Sequence, residues 1–483
     1  MEFKNEKFCC MIILEDYNKT FCLEKGVNMK FKAPVTKNEE YEVDIIDLTY
    51  QGLGVAKIED YPLFIEDTLP GEKALIKVIK VNQNFGFAKL EKLLTKSPDR
   101  VENIDKNYTR TGIAPLQHLK YDAQLEFKQH QIQELFDKSK MDVEVLPTIG
   151  MDNPTHYRNK AQIPVRSING KPQTGFFRKH SHDLVTIEDF YIQDPEIDKA
   201  IVVVRDILRK YHIEPYNETK HNGVIRNIMF RRGHYTNEMM IGLITRTKKI
   251  PMVDIIVREI KEALPEVTSI MQNINLSDGN GLLGKSTVCL DGKKYIEDKL
   301  LGLKFAISLN SFYQVNPEQT EKLYSLAIEK AQLDGTQTVI DAYCGIGTIS
   351  LAVAEHAKKV YGVEIVKEAI EDAKINAQKN HINNTTFVTG SAEEQMEKWQ
   401  AQGLKPDVIM VDPPRKGLAS SFIDSAAQVA PKKIVYVSCN PSTLVRDARR
   451  LAEYGYEITQ PVQPVDQFPQ TVHVESVTVF EKK

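Results

Sequence analysis

The chain has 483 residues, 42% hydrophobic and 27% charged, with 25 Gly, 22 Pro and a formal net charge of −3. At roughly 150 residues per domain this is a prior of about three domains, and the composition excludes collagenous, low-complexity, disulfide-stapled and globally disordered classes. The apolar run at Cys9–Leu14 is far short of the roughly 20 residues that cross a bilayer, and no small-residue cleavage site follows it. The expectation is a cytoplasmic protein with no membrane partner and no obligate protein partner.

Residues 1–35 show no usable period and contain Met29 as a second start, so they read as a disordered tail or a start-site artefact. Residues 36–95 change to short β-type runs such as YEVDIIDLTY and EKALIKVIKVN, broken by Gly52, Gly54 and Pro70-Gly71. Such spacing suggests a five-stranded OB-like barrel. Residues 96–304 read as a central α/β domain. It opens with a linker from Ser97 to Pro115 and a helix over 121–138, with Leu125, Ile132, Leu135 and Phe136 at helical spacing. Within it, residues 151–250 hold 17 Lys and Arg against 11 Asp and Glu. Their densest segment, His156–His180, interleaves Arg158, Lys160, Arg166, Lys171, Arg178 and Lys179 with Tyr157, Phe176 and Phe177 and contains no acid. Cations for phosphates and flat rings for bases suit a nucleic-acid surface, although charge runs are also ordinary solvated faces.

Residues 305–483 alternate five apolar strands, TVIDAY, KVYGVEI, TTFVTG, DVIMVD and KIVYVSC, with helical periods. That is the pattern of a doubly wound parallel sheet, whose ligands bind at the carboxyl ends of the strands. YEITQPVQPVDQF and TVHVESVTVFEKK read as a terminal hairpin at the sheet edge.

The chemistry sits at the strand ends. In DAYCGIGTIS, Gly345 and Gly347 allow a tight turn into a helix, flanked by Asp341 and by Glu364, an acid placed to hold a ribose diol. Ser350 stands where the dinucleotide fingerprint has its third glycine, which favours S-adenosylmethionine over NAD. Another nucleotide or a structural turn stays open on this motif alone. VDPPRKG brings Asp412 to the same edge, with Arg415 where an aromatic base-stacking residue would be expected. In VSCNPSTLVRD, Cys439 leaves a strand just before a helix, where the dipole is expected to ease thiol ionisation. It is preferred as nucleophile over Cys344, which lies inside the turn. QFPQTVHVE brings His473 and Glu475 to the start of the last strand on one face, with Glu475 a candidate base. Thiol, methyl donor and carboxylate are the minimum set for methylating carbon 5 of uracil: thiolate addition at carbon 6 makes carbon 5 nucleophilic, and a base then removes its hydrogen.

SFYQVNPEQ, DAYCGIGTIS, VDPPRKG, VSCNPSTLVRD and QFPQTVHVE resemble, in order, the catalytic motifs of the RNA (uracil-5-)methyltransferase family, and YQGLGVAK and TLPGEKALIKV resemble a TRAM domain. The resemblance runs from about Glu39 to the C-terminus. It implies a Rossmann-like class I methyltransferase domain behind the TRAM barrel and a central α/β RNA-binding domain. It also implies donor contacts by Gln314, Tyr343, Glu364 and Asp412, nucleophile Cys439 and base Glu475, with no metal ligand. Many TRAM-bearing members hold an iron–sulfur cluster on cysteines, but Thr111, Ala114 and Phe190 stand at such places and no Cys lies between Cys22 and Cys289. No cluster is therefore expected, and the chain resembles most the cluster-free 23S ribosomal RNA enzymes of Gram-positive bacteria. Transfer RNA is the alternative substrate within the family, and a non-catalytic RNA-binding protein with a degenerate fold the alternative outside it.

Overall fold

The computed structural model describes residues 33–102, 104–279 and 281–483. The tail expected at 1–35 lies, up to residue 32, outside the described residues. The chain divides into two compact units, one ending at Lys96 and one comprising residues 50–52 and 97–483.

The first unit is a sheet of six strands: β1 (Glu40–Asp44), β2 (Asp47–Leu48), β3 (Gly54–Ile58), β4 (Tyr61–Ile65), β5 (Lys73–Val81) and β6 (Gly86–Thr95), in the order β1-β5-β6-β4-β3-β2. Alternation decides its inner face: in KALIKVIKV, Ala74, Ile76 and Val78 are buried. Ala33 and Val35 pack into the same core. The sixth strand arises because YEVDIIDLTY is two strands. Ile45 N–H bonds to Glu72 O, but Ile46 N–H bonds to Val55 O, so the chain changes partner in mid-run.

In the second unit, the stretch read as a linker holds helix α1 (Lys106–Thr111), capped by Asp105 and closed by Gly112 in the left-handed region. It is anchored by Tyr108, which is buried and donates to Asp189 O at 2.6 Å. Helix α2 (Tyr121–Lys138) follows. Its buried residues are Gln124, Lys128, Ile132 and Phe136, each four apart, so the inward face is turned from the expected one and half of it is polar. Ile132 and Phe136 join the core that also holds Ile340, Val411, Tyr436 and Phe480.

A seven-stranded sheet comes next, built from β7 (Lys160–Ile168), β8 (Lys171–Phe177), β9 (Leu184–Thr186), β10 (Ile225–Arg232), β11 (Met239–Thr245), β12 (Val267–Ile274) and β13 (Ser286–Gly292). It runs in the order β13-β12-β11-β10-β7-β8-β9, with helices α3 (Pro195–Lys210) and α4 (Val253–Ala263). This sheet takes up much of the basic segment. Tyr157 is buried, Arg166 pairs with Glu218 and lies 5.0 Å from the Phe177 ring centre, and Phe176 meets Phe190 edge-on at 4.5 Å. Lys171 and Arg178 remain exposed. The segment is built around a β-hairpin with one covered face, which is why most of its aromatics and cations are buried or half-buried. A second hairpin, β14 (Tyr295–Leu300) and β15 (Leu303–Ser308), turns at Leu301-Gly302, both with positive φ, as a two-residue turn of matching twist requires.

The last sheet carries β16 (Thr338–Ala342), β17 (Lys359–Glu364), β18 (Thr385–Thr389), β19 (Val408–Val411), β20 (Lys433–Ser438), β21 (Tyr456–Ile458), β22 (Gln463–Val465) and β23 (Glu475–Lys482). The order is β18-β17-β16-β19-β20-β23-β21, with β22 also paired to β23. Around it are α5 (Pro317–Ala331), α6 (Thr348–Ala354), α7 (Lys367–Lys379), α8 (Ala392–Ala401), α9 (Ser420–Val429) and α10 (Pro441–Glu453). The first five strands are parallel, and β19 and β20 are buried throughout, as expected of strands covered on both faces. The order reverses between β16 and β19, which opens the ligand crevice there. The two terminal runs do pair as an antiparallel unit at the end of the sheet: β21 and β22 from the first pair with β23 from the second, and β23 also runs antiparallel to β20, so that β21 is the outermost strand. Among the described residues, no helix is long and apolar enough to cross a membrane.

Candidate functional site

At the crevice, β16 ends in a turn whose residues Tyr343, Gly345 and Gly347 all have positive φ, at 70°, 54° and 85°. For Tyr343 this is a strained backbone, of the kind found at functional turns. A Cβ on Gly345 would meet nothing within 4 Å, so the turn opens onto free space, whereas one on Gly347 would crowd Phe387 at 3.1 Å. Glu364 at the end of β17 accepts from Gly345 N–H at 3.3 Å and from Val366 N–H at 3.0 Å. Two bonds leave lone pairs on its oxygens for a diol. Beneath the turn, Ser350 Oγ donates to Asp341 Oδ2, so the residue in place of the third glycine braces an acid. Asp341 Oδ1 has no partner, and burial pushes this carboxyl up to about 7 despite the Ser350 bond, with Asp412 and Glu364 adding repulsion.

The other expected donor contacts divide. Gln314 and Asp412 are linked through a residue the sequence did not single out, Tyr324 on α5. Gln314 Nε2 is 3.5 Å from Tyr324 Oη, which is 3.5 Å from Asp412 Oδ2. Tyr343 lies at the turn by its backbone, while its ring packs 5.8 Å from Phe422 and its hydroxyl reaches Glu393.

Cys439 and Glu475 come together through strand register. Ser438, the last residue of β20, pairs with Ser476, so continuing the antiparallel register by one residue sets Cys439 opposite Glu475. Cys439 Sγ lies 3.9 Å from Pro413 O in the loop after Asp412. Asn440 follows as the N-cap of α10, accepting from Ser442 N–H and donating to Arg415 O at 2.9 Å, which ties the two loops together. Arg415 in turn donates to His473 Nε2 at 3.1 Å. Burial, with Arg415, Lys128 and Arg158 nearby, lowers His473 to about 4, so the imidazole is neutral and accepts. His473 lies two residues before β23 begins, in the loop and not on the strand.

The thiol does not behave as its place before a helix suggested. Burial, then the Glu475 and Asp412 carboxylates, push Cys439 up to about 12, and Arg415 offsets only part of this. Desolvation and two like charges outweigh a helix dipole. Glu475 is 3% exposed with Oε2 unpartnered, and burial and Asp412 hold its carboxyl well above the usual range. Cys344, the competing thiol, is buried in the apolar core with Phe387 and Ile349.

An open glycine turn, an acid with lone pairs left beside it and several buried carboxyl groups fit a donor that carries a ribose and a positive charge. Gly345, Glu364 and Asp341 would hold S-adenosylmethionine, with Gln314 and Asp412 toward the reacting end.

Residues 120–483 match the tRNA (Uracil-5-)-methyltransferase family, and residues 34–90 match the TRAM domain. The chain belongs to the tRNA (uracil-5-)-methyltransferase family. It is 63% identical over 456 residues to an RNA methyltransferase of Lactiplantibacillus plantarum, covering 94% of this chain and 100% of that one. It is 54% identical over 451 residues to one of Enterococcus faecalis, covering 93% and 98%. Among solved structures it is similar to the Pyrococcus abyssi tRNA (uracil-54, C5)-methyltransferase in complex with S-adenosyl-L-homocysteine. That likeness has a TM-score of 0.73 and 26% identity over 91% of this chain and 99% of that chain. This family member is therefore an S-adenosylmethionine-dependent methyltransferase with a mixed α/β catalytic fold and an N-terminal TRAM domain. At two of the places where cluster cysteines would stand, Ala114 and Phe190 are buried together in the apolar core of the seven-stranded sheet.

Proposed function

We propose that this methyltransferase methylates carbon 5 of uridine in RNA, with Cys439 as nucleophile and Glu475 as base, and that its RNA is 23S ribosomal RNA. The observation that carries the chemistry is the register that sets a thiol opposite a buried carboxylate beside Asp412. The Cys439 thiolate adds to carbon 6 of uracil, which places the ring's electrons on carbon 5. Bound at the glycine turn, S-adenosylmethionine supplies the electrophilic methyl that carbon 5 takes. Glu475 then accepts the proton of carbon 5. The C5–H electron pair closes the C5–C6 double bond, the C6–S bond breaks, and its electrons return to Cys439. A base whose proton affinity is raised by burial suits that removal. Arg415, the cation that acts on both Cys439 and Glu475, offsets the charge of the thiolate and of the ring it attacks.

Glu475→Gln tests the assignment, because it keeps shape but removes basicity. Incubated with donor and RNA, it is expected to leave a protein–RNA adduct that carries labelled methyl, survives denaturing electrophoresis and disappears when Cys439 is replaced by Ala. Normal turnover in Glu475→Gln would assign the base elsewhere.

The ribosomal reading is supported by a TRAM domain joined to a chain with no Cys between Cys22 and Cys289, in a group of Gram-positive relatives. Transfer RNA is the second reading, favoured by the likeness to the Pyrococcus abyssi enzyme. Mapping 5-methyluridine in ribosomal and transfer RNA from cells lacking the protein separates the two.

A further inference from the structure

The inward face of α2 carries two polar residues, Gln124 and Lys128, and both bond to one loop, Gln124 also donating to Leu116 O and Leu119 O before the helix. That loop, residues 466–474, joins β22 to β23, and the residues at its two ends, Val465 and Glu475, are paired in the sheet. Asp466 therefore adjoins the strand partner of Glu475. The loop is buried but not apolar: Asp466 and Gln467 are fully buried, Gln470 and Thr471 nearly so.

Lys128 Nζ donates to Asp466 Oδ1 at 2.5 Å and to Phe468 O at 3.1 Å, both charged side chains being 0% exposed. Tyr121 Oη donates to Asp466 Oδ2 at 2.9 Å and accepts from Met151 N–H. Gln124 and Gln470 bond reciprocally, Nε2 to Oε1 at 2.9 Å and N–H to Oε1 at 3.0 Å, with Gln470 held at φ 68°. From the opposite side, Gln319 on α5 donates to Asp466 O.

A buried ion pair is weak evidence of stability, since an apolar pair of equal volume is often as stable or more so. What an ion pair adds is direction. The residue in need of direction is Glu475, whose buried Oε2 has no hydrogen-bond partner and whose backbone pairs with Val465, the residue before Asp466. We propose that Lys128, acting through Asp466, is a positioning residue for Glu475 that governs release of the methylated RNA from Cys439 and not binding of the donor. This rests on the role of Glu475 given above.

The test is the double variant Lys128→Met with Asp466→Leu, which removes both charges and keeps volume. It is compared with Glu475→Gln using labelled donor and RNA from cells lacking the protein. Donor affinity by calorimetry and KM for RNA are expected to stay within twofold. Turnover is expected to fall at least tenfold, with a methyl-labelled adduct accumulating as in Glu475→Gln. A folded double variant with parental turnover, or one slowed with no adduct where Glu475→Gln gives one, overturns the proposal. If Glu475→Gln itself traps nothing, the base assignment falls and this proposal with it. Should the double variant not fold, Tyr121→Phe decides: three- to tenfold slower turnover with some adduct supports the proposal, and parental behaviour refutes it.

Discussion

Asp341→Asn is expected to make the donor-free protein more stable at pH 8 and no more stable at pH 4. Asp341 is 1% exposed, its Oδ1 has no partner, and its carboxyl sits at about 7 instead of the ordinary carboxylate value of about 3.9. A folded pKa above the unfolded one means the native state holds the proton more tightly. The associated stability is complete below about pH 4 and is lost as pH rises through about 7. A shift of about three units corresponds to about 4 kcal/mol at 1.36 kcal/mol per unit. The amide gives part of that back, because its NH2 takes the unpartnered Oδ1 position and costs about 1–3 kcal/mol. The net gain expected at pH 8 is therefore about 1–3 kcal/mol. Urea unfolding read by Trp399, the chain's single tryptophan, buried in the same core as Ile340, reports on this unit. The quantity to plot is variant minus parent against pH, which cancels every other titrating group. A difference that stays constant from pH 4 to 8 would refute the reasoning. The same substitution should weaken donor binding, since a stability cost is tolerated where the charge serves a ligand.

Glu364→Ala is expected to lower S-adenosylmethionine affinity by about 1–3 kcal/mol if its carboxylate, which accepts from Gly345 N–H and Val366 N–H, also takes the ribose diol; unchanged affinity by calorimetry counts against that role. Replacing exposed Lys171 and Arg178 by Ala should reduce the magnitude of the slope of log affinity for RNA against log salt by about 0.7–0.9 for each phosphate that is no longer neutralised. An unaltered slope would take these two cations out of the RNA surface.

The parallel sheet was legible because strands buried on both faces must be written as continuous apolar runs, and β19 and β20 are such runs. The terminal hairpin at the sheet edge was legible too, and which of its strands joins the parallel sheet follows from burial: six consecutive buried residues in β23 need neighbours on both sides. That matters for the site, since the pairing of β20 with β23 brings Cys439 and Glu475 together from separate motifs. Tyr324 was invisible because a Tyr on the inner face of an amphipathic helix reads as core, and only the fold aims its hydroxyl at Asp412. Lys128 escapes notice for a related reason. Ranking by hydrophobicity selects Leu125 and Leu135 for the buried face of α2, but the surface that face meets is a polar loop, and a polar loop selects Gln124 and Lys128.

The state of Cys439 before RNA arrives follows from the same competition of charges. A thiol at about 12 is ionised to roughly one part in 10⁴ at pH 8, well over three orders of magnitude less than an ordinary cysteine near 8.5. Its thiolate is intrinsically more nucleophilic, which with a Brønsted slope of about 0.4–0.5 returns about one and a half orders. Alkylation by iodoacetamide, followed at the Cys439 peptide by mass spectrometry, should therefore run about 40- to 100-fold slower than for a free thiol. It should also climb close to tenfold per pH unit up to pH 10. Where Glu475 is ionised, Glu475→Gln removes the largest charge repulsion on the thiolate and should speed alkylation toward pH 10, whereas Arg415→Gln removes the attracting charge and should slow it. A plateau near pH 8, or opposite effects of the two substitutions, would mean that the helix dipole and not the carboxylates sets the thiol. If the order holds, the nucleophile rests as a protected thiol, and its ionisation belongs to the encounter with the uracil ring and not to the enzyme alone.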